Sequence, residues 1–176
     1  MRINCIPVEY LSDVHLRAEY REIILSIHYY KKSFFSKSGI DENRIPENYT
    51  LNKGHGYFWY NKFGYIDKRY NELLIEMKNR NYSTISIEEK FYNLFEQYIP
   101  SNTRNDWTPN KKDMIINLER ILLRIYEMSI LNNKQNYYKI NGKTRTFLEW
   151  SIFYTEMLGI STDVVHNIIT EIELKN

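Results

Sequence analysis

The sequence predicts an all-α protein: a single compact helical domain with three long helices, shorter ones between them, and a helical C-terminal extension. Three observations carry this. Apolar residues recur at i, i+3, i+4 and i+7 through most of the chain, the spacing that lines one face of a helix. The six glycines and four prolines fall mostly between those segments, as helix punctuation should. Nothing alternates apolar and polar residues for more than a few positions, so no extended strand is expected.

Taken in order, Ser12 or Asp13 can cap a first helix over residues 14–30, with Leu16, Tyr20, Ile23, Ile24 and Ile27 on its apolar side. Residues 36–56 are rich in Ser, Gly, Asp, Asn and Pro and read as a long loop, which is uncommon in a compact domain unless it has a function. A second helix over 59–79 follows the period of Tyr65, Ile66, Tyr70, Leu73, Leu74 and Met77. Ser86 caps a shorter helix that reaches Tyr98 and stops before Pro100. The third long helix begins just after Pro109 and covers 111–131. Two further helices, 146–158 and 162–174, are separated by Gly159 as a C-cap. We expect residues 1–145 to form the main helical domain and 146–176 to pack on it as an extension.

A chain of 176 residues suits one ordinary domain and is short for two. Hydrophobic residues at 43% and charged residues at 26% describe a folded domain and not a disordered chain. There is no run of eighteen apolar residues to span a membrane and no charged-then-apolar secretory start. The single cysteine, Cys5, cannot form an internal disulfide, which fits a reducing cytoplasm, and it reads as a small buried residue. Net charge is only +2. A sequence-independent DNA binder usually shows a clearer basic excess, but what matters is whether Lys and Arg gather on one face. Composition therefore permits nucleic-acid binding without arguing for it.

The densest chemistry lies in His15-Leu16-Arg17-Ala18-Glu19-Tyr20-Arg21-Glu22. At about 100° per residue, Glu22 sits only about 20° from His15 around the helix and Glu19 about 40°, so the three share a stripe flanked by Arg21. On spacing alone, the plainer account is a solvated charge network worth a few tenths of a kcal/mol per pair, roughly. One histidine with two carboxylates can also bind a divalent ion, but the paired-histidine spacing is absent.

Together with Met1-Arg2-Ile3-Asn4, Gly54-His55, Asp106-Trp107-Thr108-Pro109 and Tyr137-Tyr138-Lys139, this helix resembles the pyrimidine-dimer DNA glycosylases of the phage endonuclease V type, with gaps, from Met1 to about Lys143. The resemblance implies repair of damaged double-stranded DNA by a glycosylase that is also an AP lyase and uses neither metal nor cofactor. Its nucleophile would be the α-amine of Met1. The essential carboxylate falls at the second Glu of Ala18-Glu19-Tyr20-Arg21-Glu22, so the role carries to Glu22 and not to Glu19. Arg2, His15 and Arg21 match positions lining that site. Members begin Thr-Arg-Ile-Asn once the initiator is lost. Here Met1 occupies the place of that threonine, and the bulky Arg2 behind it should keep the methionine in place.

The resemblance also implies DNA contacts by Lys32, Arg120, Arg124, Tyr137, Tyr138, Lys139 and Lys143. Asn117, Arg120 and Arg124 lie at i, i+3, i+7 and would form one polar stripe, which in an ordinary helix is simply solvated. Aromatics interleaved with lysines in Tyr137-Tyr138-Lys139-Ile140-Asn141-Gly142-Lys143 suit a kinked or unstacked duplex, and suit a core edge equally well. His55 is expected to be structural, and Trp59, Trp107 and Trp150 to line the core or a groove.

The departures are local. The family follows its catalytic glutamate with an aliphatic-Pro-basic run, and this chain has Ile23-Ile24-Leu25. Lesion specificity is thereby opened, with another damaged or modified base as the alternative substrate and a non-catalytic DNA-binding protein as the third reading. The final thirty-odd residues lie outside the resemblance and either pad the core or offer a surface for a protein partner or self-association. The expected location is the cytoplasm, with the DNA of a bacterial or phage-infected cell.

Overall fold

A computed structural model describes residues 2–51, 54–134 and 136–174, with the backbone alone at 85 and 86. Its regular structure is helical apart from one short hairpin. The backbone divides into two compact units: Met1–Asn4 with Leu16–Pro109, and Cys5–His15 with Asn110–Asn176.

The first unit holds most of α1 (Asp13–Glu22), then α2 (Leu25–Phe34), the one-turn α3 (His55–Phe58), α4 (Phe63–Asn79) and α5 (Ile85–Tyr98). Along α4 the residues Phe63, Ile66, Tyr70, Leu73 and Met77 are all buried, which is the helical spacing acting as an inward stripe. Tyr70 stacks on Tyr20 of α1 at 5.6 Å and on Phe91 of α5 at 3.7 Å, so three helices meet through ring faces. The Tyr20 hydroxyl is not stranded by this burial, because it donates to the Thr84 carbonyl at 2.9 Å. Gly64 opens α4 where another side chain would not fit: a Cβ there would lie 2.7 Å from the Arg104 carbonyl oxygen. That close approach lets the Gly64 N–H donate to Asn105 O at 3.1 Å and seats the following loop on the helix.

Two boundaries differ from expectation in this unit. The helix expected over 14–30 is two helices, interrupted at Ile23–Ile24. There the hydrogen-bond ladder tightens to i→i−3, with Ser26 N–H donating to Ile23 O and Ile27 N–H to Ile24 O. The Ser26 hydroxyl also donates to Ile23 O, occupying a carbonyl at the interruption. The helix expected from residue 59 likewise begins only at Phe63, after the separate turn of α3. At α5 the helix starts at Ile85, so Ser86 lies inside its first turn and Thr84 stands at the cap position.

In the second unit α6 (Lys111–Tyr126) packs against α7 (Phe147–Leu158) and α8 (Thr162–Leu174). Leu118, Ile121, Leu122 and Ile125 are its buried stripe; Trp150 and Tyr154 are among the buried residues of α7, and Val165, Ile168 and Ile172 are those of α8. Both α6 and α7 begin with reciprocal capping boxes, Asn110 with Asp113 and Thr146 with Glu149. Gly159 takes the left-handed conformation (φ 57°) that ends α7. Beyond Tyr126 the helix widens into a π turn over Glu127–Leu131. Asn117, expected on the polar stripe, is fully buried, and its Oδ1 accepts the Cys5 N–H at 3.1 Å. Two-residue strands β1 (Lys139–Ile140) and β2 (Lys143–Thr144) pair antiparallel around Asn141-Gly142, both at positive φ. Such a dipeptide is what a tight hairpin turn requires. Among the described residues no helix is long and apolar enough to cross a membrane.

Candidate active site

In the first unit the amino-terminal segment is held by side chains and not by a sheet or helix. The Ile3 N–H donates to Nε2 of His55 at 3.4 Å, and the Ile3 carbonyl accepts from the Tyr49 hydroxyl at 2.9 Å. The Asn4 N–H donates to Oε1 of Glu19 at 2.9 Å, and the Asn4 carbonyl accepts from the Tyr65 hydroxyl at 3.0 Å. All four main-chain polar groups of these two residues are therefore satisfied inside the unit, as buried backbone groups must be.

Each anchor is itself fixed. His55 is buried, and its Nδ1 faces the Thr50 carbonyl at 2.5 Å while Nε2 also receives the Trp59 indole N–H at 3.4 Å. A carbonyl accepts only, so the proton belongs on Nδ1 and Nε2 is the acceptor. The structural role expected of His55 is what its contacts describe. Tyr49 stacks on Trp107 at 5.8 Å and meets the Trp59 ring edge-on. Tyr65 stacks on the other aromatic neighbour, Trp59, at 5.2 Å.

Glu19 is the centre of this arrangement. It is 1% exposed and accepts from four donors: the Asn4 N–H, Asn4 Nδ2 at 2.5 Å, Arg69 Nε at 2.9 Å and Arg69 Nη2 at 3.2 Å. Arg69 comes from the buried side of α4 and is 3% exposed. Burial alone would pull its guanidinium down, but the Glu19 charge, then Tyr65, outweighs that and leaves it above its ordinary range. A fork of N–H donors on a carboxylate is a strong and directional pair.

The helix that carries Glu19 also carries the residues singled out from sequence. Ser12 Oγ accepts the His15 N–H at 3.3 Å, which caps α1, and lies 3.0 Å from His15 Nδ1. Arg21 is exposed, with Nε donating to the Arg17 carbonyl at 3.1 Å. Glu22, the last residue of α1, is half-buried. Arg2 is exposed, and so is Lys32 in the last turn of α2. Met1 lies outside the described residues. No cluster of three or more His, Cys, Asp or Glu suitable for a metal ion occurs among the described residues.

The remaining positions belong to the second unit. The His15 ring stacks on Tyr138 at 4.8 Å, and Tyr138 is only 4% exposed, whereas Tyr137 beside it is 44% exposed. Lys139 is half-buried and Lys143 exposed, one on each strand of the hairpin. On α6, Arg120 is half-buried and the exposed Arg124 pairs with Glu127 at 2.5 Å. Sequence reasoning did not find Asn4, Tyr49, Tyr65 or Arg69. The one available signal was Arg69 itself, an arginine set among the apolar positions of α4, where burial demands a partner.

A family model described as pyrimidine dimer DNA glycosylase matches residues 1–88. That span contains Arg2, Asn4, His15, Glu19, Arg21, Glu22, Lys32, Tyr49, His55, Tyr65 and Arg69, while α6, the hairpin and the last two helices lie beyond it. With half of its 176 residues matched, including residues 3 and 4 and the Glu19, Tyr49, His55 and Tyr65 side chains that bond their backbone, the chain belongs to the pyrimidine dimer DNA glycosylase family.

Proposed function

We propose that the chain cleaves a glycosidic bond of cyclobutane pyrimidine dimers in double-stranded DNA and then cuts the strand, with the α-amine of Met1 as nucleophile and Glu22 as the essential carboxylate. The observation that carries this reading is the seat of residues 3 and 4. An amine at a chain end is useful only if its tether is immobile, and here the backbone beside it is hydrogen-bonded by Tyr49, His55, Glu19 and Tyr65.

An α-amine has an ordinary pKa of about 7.7–8.0 against about 10.4 for lysine, so a useful fraction is neutral near pH 7. Its lone pair attacks C1′ of the damaged nucleotide. The glycosidic C–N bond breaks, the displaced base takes a proton from the amine and stays joined to its neighbour through the cyclobutane ring, and opening of the sugar C1′–O4′ bond, with a solvent proton going to O4′, gives a protonated imine. A carboxylate stabilises that cation and removes a proton from C2′. The electron pair then expels the 3′ phosphate, and hydrolysis of the imine returns the amine. Glu22 has both tasks. The C1′ atom is hidden in a stacked duplex, so a nucleotide must be extruded first. Arg2, Arg21, His15 and Lys32, with Arg120, Arg124, Tyr137, Tyr138, Lys139 and Lys143, are the residues we assign to the DNA.

The test is borohydride trapping on irradiated duplex, followed by peptide mapping. A covalent adduct on Met1 is expected. Absence of an adduct, or one on Lys62, overturns the assignment. Lys62 is the informative competitor because burial pushes its ammonium down, towards the range of an amine nucleophile.

A second reading keeps the chemistry and changes the lesion. It is favoured by Ile23-Ile24-Leu25, where the proline and basic residue that the resemblance implies are both missing. Turnover on dimer-containing, alkylated and abasic duplexes, compared side by side, separates the two. A non-catalytic binder would retain all three without trapping any.

A further inference from the structure

We propose that Arg17 and Arg21, with Ser83 and Tyr82, form a cleft for one phosphodiester of the DNA backbone. This rests on the functional reading above and extends it to a residue, Arg17, that the family resemblance does not assign. Arg17 and Arg21 stand one turn apart on α1, about 6 Å along its axis, and both are exposed. Both line a cleft of about 250 Å³ that Ser83 and Tyr82 border and Met77 and Ile87 floor.

Three features make this a receptor for an anion and not an incidental pair of surface arginines. First, neither guanidinium has a carboxylate partner among the described residues, whereas Arg69, Arg80, Arg104 and Arg124 each meet a glutamate. Two unpaired like charges one helical turn apart repel, and an anion between them relieves the repulsion. Second, both side chains are pre-oriented. Arg21 is held by its own Nε on the Arg17 carbonyl, which leaves its terminal nitrogens to donate elsewhere, and the Arg17 guanidinium lies 5.1 Å from the centre of the Tyr82 ring. Third, the wall that Arg17 rests on is rigid. Tyr82 follows Asn81 in the left-handed conformation (φ 58°), and its N–H closes onto the Met77 carbonyl at 2.8 Å.

Guanidinium forks match the planar oxygen pairs of a phosphate, and Ser83 supplies a hydroxyl at the rim. An apolar floor of Met77 and Ile87 limits competing water and strengthens those bonds. The ligand is a phosphodiester of the duplex, because Arg21 on the same face is already assigned to DNA.

The experiment measures affinity for a short duplex bearing a tetrahydrofuran abasic site, which has no aldehyde and cannot trap the amine. Full-length protein, Arg17→Ala, Arg17→Lys and Tyr82→Leu are titrated across a chloride series, and separately with inorganic phosphate at matched ionic strength. For Arg17→Ala we expect a loss of roughly three- to tenfold at low salt and a slope of log affinity against log salt that is shallower by about one. Tyr82→Leu should weaken binding with the slope kept, since it frees the arginine without removing its charge. If the unsubstituted protein binds the duplex and Arg17→Ala matches it in affinity and slope, the cleft is not a DNA contact. Loss of inorganic-phosphate binding alone, with duplex affinity intact, overturns it equally. Failure of the unsubstituted protein to bind duplex at all would remove the functional reading on which the cleft rests.

Discussion

Glu19 and Glu22 stand three residues apart on α1 and differ in burial. Glu19 is enclosed, with Asn4 and Arg69 donating to it, while Glu22 is half-buried at the helix end. Neutralising each should therefore have different consequences. Glu19→Gln removes the buried counter-charge of Arg69 and leaves it the more exposed Glu72 at 3.4 Å, and a loss of about 3–5 kcal/mol of stability is expected, read as a lower midpoint in urea unfolding. Glu22→Gln should leave that midpoint within about 0.5 kcal/mol, keep most DNA affinity and abolish strand cleavage. Equal destabilisation by the two would contradict this division. His28 on α2 makes a pH prediction at the same scale. Burial, with Lys90 and Lys31 adding to it, pushes its imidazole below the ordinary value near 6.5. The folded state then binds fewer protons than the unfolded chain as pH falls below about 6.5, so stability is full above that value and declines towards the lower folded value. His28→Gln should flatten that decline, as followed by thermal melts between pH 7 and 5.

At the scale of elements, the informative feature is the interruption between α1 and α2. Ile23-Ile24-Leu25 holds neither proline nor glycine, yet the helix breaks there. Ile24 has φ −61°, the angle a proline ring imposes, and no carbonyl accepts its N–H among the described residues. Ile24→Pro should accordingly cost less than the roughly 3 kcal/mol of a proline inside a helix, with helical circular dichroism retained. A larger loss would mean that the break depends on packing of the isoleucine side chain, which is itself only 7% exposed. The long helices were legible because their apolar positions repeat with a period the packing uses directly. The break was not, since Ile23-Ile24-Leu25 carries no proline or glycine and a serine hydroxyl on a carbonyl leaves no mark in the sequence pattern. The hairpin was signalled only by Asn141-Gly142, on strands too short to show alternation. Asn117 departs from expectation for a related reason: its residue type is polar, and the Cys5 N–H that its Oδ1 accepts lies 112 positions away.

For the whole molecule, a net charge of +2 gives little long-range attraction to DNA, so local groups of cations must carry the contact. Much of the candidate site was legible as a set of residue types near the amino terminus. What holds it was not, because Asn4, Glu19, Tyr49, His55, Tyr65 and Arg69 belong to segments that no periodicity connects. Their separations have a consequence for how the molecule comes together. The partners of Ile3 are 46 and 52 positions away, and Tyr65 is 61 positions from Asn4, while Glu19 and Arg69 are 50 apart. Contacts so distant along the chain close late, after the local helices have formed and docked. The receptacle for the first residues is thus among the last parts built and, where opening is local, among the first released. In a urea titration, imine trapping should vanish at a lower concentration than the helical signal, leaving a folded but chemically silent protein in between.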